Sequence, residues 1–223
     1  MKLKLMLHKS AMINRGLNLF IVGLALLVIG FETYTYWIQK IRPWQPISPI
    51  GRVIFYYSFF TVLSNIMLVI SCLVLLFKPS CSSKVFNVIR LNGLVGVLIT
   101  MIVYNTMLRG IHHPPTPLLR LANECLHLIL PLLGIITWLI YGPFGRIKAN
   151  IIFYSFLSLL TYGLYIFIRG YYTGQYPYPF INVNRVGYEK AFYAAIGIAI
   201  LFFALVIFLL VVERIRIKIS NKY

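Results

Sequence analysis

Residues 121–141, LANECLHLILPLLGIITWLIY, are long and apolar enough to cross a bilayer as a helix, yet they carry Glu124 and His127 near one end. At 3.6 residues per turn the two side chains lie about one turn apart on the same side. Ionisable groups inside a span are costly, because the hydrocarbon offers no water to solvate them, and they mark functional sites. Residues elsewhere that reach the depth of His127 become candidates for the same site.

The surrounding composition agrees with a bilayer setting. Of 223 residues, 60% are hydrophobic and 11% charged, and the mean hydropathy is +0.85. These values exclude a soluble globular domain and predict an all-α polytopic membrane protein. Six stretches have the length of a spanning helix: 17–37, 55–77, 91–108, 121–141, 151–168 and 191–212. The connectors RPWQPISP, KPSCSSK, HHPPTP and GPFGR carry turn chemistry, so we expect one bundle of six transmembrane helices spanning residues 1–223, with no soluble module. The first apolar run is too long for a signal peptide and is followed by FETYTYW, without a small-residue cleavage site, so it reads as a retained span.

Charge sets the expected orientation and partners. The net charge of +17 arises from 21 Lys and Arg against Glu32, Glu124, Glu189 and Glu213, with no Asp. Because the cations are scattered through short loops, no nucleic-acid partner is expected, and the anionic headgroups of membrane lipids, or substrates bearing a carboxylate, are the expected counter-charges. Thirteen cations fall on the side of both termini (Lys2, Lys4, Lys9, Arg15, Lys78, Lys84, Arg90, Arg146, Lys148, Arg214, Arg216, Lys218, Lys222) and eight on the other. The excess places the N- and C-termini in the cytoplasm of a multi-pass cell-membrane protein. Cys72, Cys81 and Cys125 have no metal-ligand spacing, His112 and His113 lack further ligands, and no cofactor motif is present, so neither metal nor cofactor is expected. Trp44 and the loop GYYTGQYPYPF read as an interfacial aromatic belt.

Depth brings specific residues together. Thr61 lies six residues into the second stretch and His127 six residues into the fourth, each about 9 Å from the same membrane face at about 1.5 Å per residue. Ser64 and Asn65 share one helical face with Thr61. Glu32, Asn105, Tyr162, Tyr165 and Glu189 occupy the same half of the bundle, whereas the other half is plain. This asymmetry predicts a polar cavity opening toward the outer leaflet. Hydroxyls and amides on one stripe also serve ordinary helix packing in membranes, and a neutral His can simply bridge two helices. The chemical alternative is that His127 acts as a base on the Thr61 hydroxyl, with Glu124 or Glu32 orienting the ring and Asn65 or Asn105 donating to an oxyanion.

The same positions carry a family resemblance. Phe60-Thr61 with Asn65, His127 followed by Leu130-Pro131, and Tyr162-Gly163-Leu164-Tyr165 leading through Arg169-Gly170 and Gly174 to Tyr176-Pro177-Tyr178-Pro179 resemble the androgen-induced and androgen-dependent integral-membrane threonine hydrolases and their bacterial six-span relatives. The resemblance implies intramembrane hydrolysis of fatty acid esters of hydroxy fatty acids, with Thr61 as nucleophile and His127 as base. Three function classes are thereby set in competition. In a lipid esterase, Arg109, Arg120 or Arg169 would hold the substrate carboxylate or headgroup. In a transporter or small-molecule binding protein, Glu32, Glu124 and His127 would form a proton-linked site. In a non-catalytic membrane protein, the polar residues would only pack.

Overall fold

A computed structural model describes residues 2–40 and 45–220, and the side chains of residues 9–40 and 45–219. Trp44 and the cations Arg42 and Lys222 lie outside the described residues, as do the side chains of Lys2 and Lys4. The chain is an all-α bundle. In order it comprises α1 (Lys2–Ile38), α2 (Pro49–Tyr56), α3 (Phe60–Phe77), α4 (Lys84–Val103), α5 (Pro117–Glu124), α6 (Leu130–Tyr141), α7 (Ala149–Thr173) and α8 (Val183–Ser220). A π turn at Tyr104–Leu108 extends α4, and another at Cys125–Ile129 joins α5 to α6 into one span. Among the described residues six helices are long and apolar enough to cross a membrane, which makes this a multi-pass membrane protein.

Packing centres on α4. It lies against α3, α6, α7 and α8, and 67% of its most apolar window is buried, against 17% for α7 and for α8. α3 and α4 approach closely: a Cβ on Gly93 would meet the backbone nitrogen of Leu68 at 2.8 Å. Small residues at such a crossing let two backbones approach where lipid supplies no hydrophobic drive. Leu27, Phe77, Leu164 and Phe208 remain exposed on the perimeter, as a surface bathed in acyl chains requires.

The second span corrects the sequence reading. It does not begin at residue 55: α2 ends at Tyr56, the chain turns through residues 57–59, and α3 starts at Phe60. Arg52 holds α2 in place, donating to the carbonyls of Tyr36, Trp37 and Ile47 and so satisfying acceptors left open at the C-terminus of α1. At the opposite end of the bundle, Arg90 donates to Ser71 Oγ and to the Gly142 carbonyl.

Candidate functional site

The break at residues 57–59 decides the state of Thr61. Hydroxyls within these helices usually donate to their own carbonyls, as Thr33, Ser64 and Thr106 do to Ile29, Phe60 and Ile102. Thr61 is the second residue of α3, so the residue four positions earlier, Tyr57, lies outside that helix. The Thr61 hydroxyl has no backbone acceptor of this kind and instead lies 3.2 Å from His127 Nε2. Tyrosines support the break. Tyr162 donates to the Ser58 carbonyl at 3.0 Å, Tyr165 Oη and Ser58 Oγ are 3.0 Å apart, and the Thr61 amide donates to Tyr178 Oη at 3.3 Å. The Ser58 carbonyl and the Thr61 amide are groups that an uninterrupted helix would have paired internally.

Backbone irregularity also positions His127. In the π turn at Cys125–Ile129 the Leu130 amide donates to the Cys125 carbonyl, which bypasses Leu126. Pro131 has no amide proton, so it cannot serve Leu126 or His127 in either helical register. Both carbonyls find side chains instead. Asn65 Nδ2 donates to Leu126 at 3.2 Å and to the Thr61 carbonyl at 2.8 Å, while Asn105 Nδ2 donates to His127 at 3.4 Å. Asn65 thus ties the backbone of Thr61 to the backbone beside His127. Its replacement by Ala leaves the Leu126 carbonyl without a donor, while the Thr61 carbonyl keeps its bond within α3, and we expect a loss of about 1–3 kcal/mol, read as a lowered thermal unfolding midpoint.

The imidazole is fixed at its other nitrogen. Nδ1 lies 2.9 Å from the carbonyl oxygen of Asn123. A carbonyl can only accept, so Nδ1 carries the proton, and in the neutral ring Nε2 presents its lone pair to the Thr61 hydroxyl. Tyr104, in the first π turn, stacks on the ring at 4.0 Å between centroids and accepts a 2.6 Å hydrogen bond from Asn123 Nδ2. One residue therefore sets the tautomer through its backbone and anchors the stacking partner through its side chain.

Thr61 and His127 line a cavity of about 350 Å³ between α3, α4, α7, α8 and the segment at residues 174–182. Its walls are apolar, formed by residues such as Ile99, Val103, Phe167 and Ile198, with Tyr178 and Tyr162 adding hydroxyls near Thr61. The polar cavity expected from the sequence is thus an apolar one with a small polar end. Leu160, Leu164 and Phe192 line it and are also exposed on the perimeter, so it reaches the lipid-facing surface between α7 and α8.

No protein-family model, curated protein or solved structure matches this chain. The geometry alone decides which residues meet.

Several expected roles are corrected. Neither Glu124 nor Glu32 bonds to His127, whose orienting acceptor is the Asn123 carbonyl. Glu124 instead makes a bidentate ion pair with Arg109, at 2.7 and 2.8 Å, and the Glu124 carboxylate holds the Arg109 guanidinium above its usual range. Glu32 neighbours Tyr56. Asn65 and Asn105 spend their amide protons on carbonyls, which removes them as oxyanion donors. Ser64 donates to Phe60 and sits where a Cβ on Gly96 would collide with it, a packing role. Nor do the cations line the cavity: Arg109 is closed on Glu124, Arg120 donates to the Pro114 carbonyl, and Arg169 donates to Gln175 over the ring of Phe55. The loop read as an aromatic belt is divided, with Tyr171 and Tyr172 exposed while Tyr176 is buried and Tyr178 faces Thr61. Among the described residues no group of three His, Cys, Asp or Glu side chains is placed to hold a metal ion.

Proposed function

We propose that the protein is an intramembrane hydrolase of lipid esters, with Thr61 as nucleophile and His127 as general base. The observation that carries this reading is the 3.2 Å contact between Thr61 Oγ1 and a His127 Nε2 whose lone pair is directed by the Nδ1 bond to Asn123. A Thr hydroxyl becomes nucleophilic when a base within hydrogen-bond reach takes its proton. The apolar cavity supports an acyl chain as the group bound beside that pair, and its reach to the bilayer-facing surface supports a substrate drawn from the membrane. The resemblance read from the sequence assigns the same two residues and adds the substrate class, fatty acid esters of hydroxy fatty acids.

The reaction proceeds by acyl transfer. Thr61 Oγ1 bonds to the ester carbonyl carbon, its proton passes to His127 Nε2, and the carbonyl electron pair moves onto oxygen. Collapse of this intermediate restores the carbonyl and breaks the bond to the alcohol oxygen, which takes the proton from Nε2. Water then gives a proton to Nε2 and its oxygen to the acyl carbon. Thr61 leaves with the proton, and a carboxylic acid and an alcohol are released.

The excess of cations on the side of the termini supports cytoplasmic N- and C-termini in the cell membrane, with the Thr61 end of the bundle toward the outer leaflet. Treatment of the purified protein with a fluorophosphonate is expected to leave an adduct on Thr61, located by mass spectrometry, and none at that position in Thr61→Ala. A folded protein that gives no adduct, and hydrolyses no ester faster than Thr61→Ala, overturns the reading.

A further inference from the structure

Acyl transfer to Thr61 generates a negative oxygen in an apolar cavity, where an unpaired charge is strongly disfavoured. The amides of Asn65 and Asn105 are committed elsewhere, and Tyr162 and Thr100 give their protons to the carbonyls of Ser58 and Val97. Resting on the hydrolase reading, we propose that the Tyr178 hydroxyl is the hydrogen-bond donor that stabilises the oxyanion formed on attack by Thr61.

Proton counting at Tyr178 supports this role. A phenol has one proton, and Tyr178 Oη already accepts from the Thr61 amide at 3.3 Å, so that proton is directed elsewhere. Its neighbour is Thr61 Oγ1 at 3.5 Å, whose own O–H donates to His127 Nε2. The resting network therefore runs from Tyr178 O–H to Thr61 Oγ1, and from Thr61 O–H to His127 Nε2. When Oγ1 bonds to the carbonyl carbon, the new oxyanion sits on the atom next to Oγ1, and a small swing of the phenol O–H reaches it. The amide that donates to Tyr178 belongs to the N-terminus of α3, which polarises the phenol toward donating. Burial pushes the Tyr178 phenol up, so it stays protonated as a donor must.

The ring is held as a preorganised donor should be. Pro177 and Pro179 restrict the backbone on either side. Phe59 packs edge-on at 5.6 Å, and Phe180 stacks at 5.4 Å with planes 10° apart. Tyr178→Phe keeps these ring contacts and removes only the hydroxyl.

The test uses the full chain in detergent, with 4-nitrophenyl octanoate as probe, comparing the unaltered protein, Thr61→Ala and Tyr178→Phe. Loss of one such donor is expected to lower kcat by about 10²–10³-fold with little change in KM, since the interaction is made in the transition state. If Thr61→Ala is inactive but Tyr178→Phe retains kcat within about threefold of the unaltered protein, the donor role is overturned and the hydrolase reading stands. If the unaltered protein and Thr61→Ala do not differ, with the ester and with a fluorophosphonate, both fall together. Should Tyr178→Phe not fold, 3-fluorotyrosine placed at position 178 retains the hydroxyl while changing its acidity. A shifted kcat then supports the donor role, and an unchanged one overturns it.

Discussion

His127→Ala is expected to lower turnover of an ester probe by about 10²–10⁴-fold and to suppress fluorophosphonate labelling of Thr61 in step, without unfolding the bundle. The expectation follows from the isolation of Thr61 Oγ1. Its neighbours are the Nε2 of His127 and the phenol of Tyr178, and a phenol that must keep its proton to donate cannot also take one. Removing the imidazole leaves the hydroxyl with no group to accept its proton. Glu124→Gln makes the contrast informative. In a triad logic the acid that orients the base is costly to lose, but here the Asn123 carbonyl does the orienting, and Glu124 is occupied by an exposed ion pair with Arg109. Exposed pairs contribute little to stability, and this one touches neither Thr61 nor the imidazole ring, so Glu124→Gln should stay folded and turn over close to the unaltered rate. A deep loss in Glu124→Gln would return the carboxylate to the site and sink the backbone-orientation account.

The pairing of Thr61 with His127 was legible because both lie the same distance from one membrane face in adjacent-facing spans, and an ionisable residue in a span has few bland explanations. How they meet was not legible. The tract FYYSFFT contains no Gly or Pro to announce the break at residues 57–59, so depth counted from residue 55 placed Thr61 inside a helix that in fact begins one residue before it. Polar residues in span two were visible, but the difference between Thr61, whose hydroxyl meets His127, and Ser64, bonded back to Phe60, depends on where that helix starts. The π turns have no propensity signature either. Pro131 was the available clue: the carbonyl acceptors it leaves open explain why two asparagines converge on residues 126 and 127. Tyr178 was hidden by its context, since a run of Tyr and Pro at a span end reads equally well as a membrane-interface belt. Side-chain competition for backbone carbonyls is a three-dimensional outcome, and it is what separated the oxyanion and ligand roles assigned to Asn65, Asn105 and the arginines from their observed bonds.

Gly93→Ala is expected to destabilise the protein by about 1–3 kcal/mol, whereas the same substitution at Gly197 should be neutral or slightly stabilising. Both glycines are interior to long helices, so intrinsic helix propensity favours Ala at each. They differ in what the new methyl meets. At Gly197 nothing lies within 4 Å of a Cβ, while at Gly93 it would stand 2.8 Å from Leu68 N, 3.0 Å from Leu68 Cα and 3.1 Å from the Met67 carbonyl carbon. Those are backbone atoms of α3, so no side chain can swing aside and the two helices must separate. The consequence extends beyond stability. α3 carries Thr61 at its first turn, and the π turn that continues α4 carries Tyr104, which stacks on His127. A displacement of α3 from α4 therefore stretches the 3.2 Å contact through which the proposed proton transfer runs, and a misplacement of about 1 Å can cost on the order of 10²-fold in rate. Thermal unfolding and fluorophosphonate labelling of Gly93→Ala and Gly197→Ala should consequently move together at position 93 and stay near the unaltered values at position 197. Equal behaviour of the two variants would mean that the α3–α4 crossing neither limits stability nor sets the geometry at Thr61.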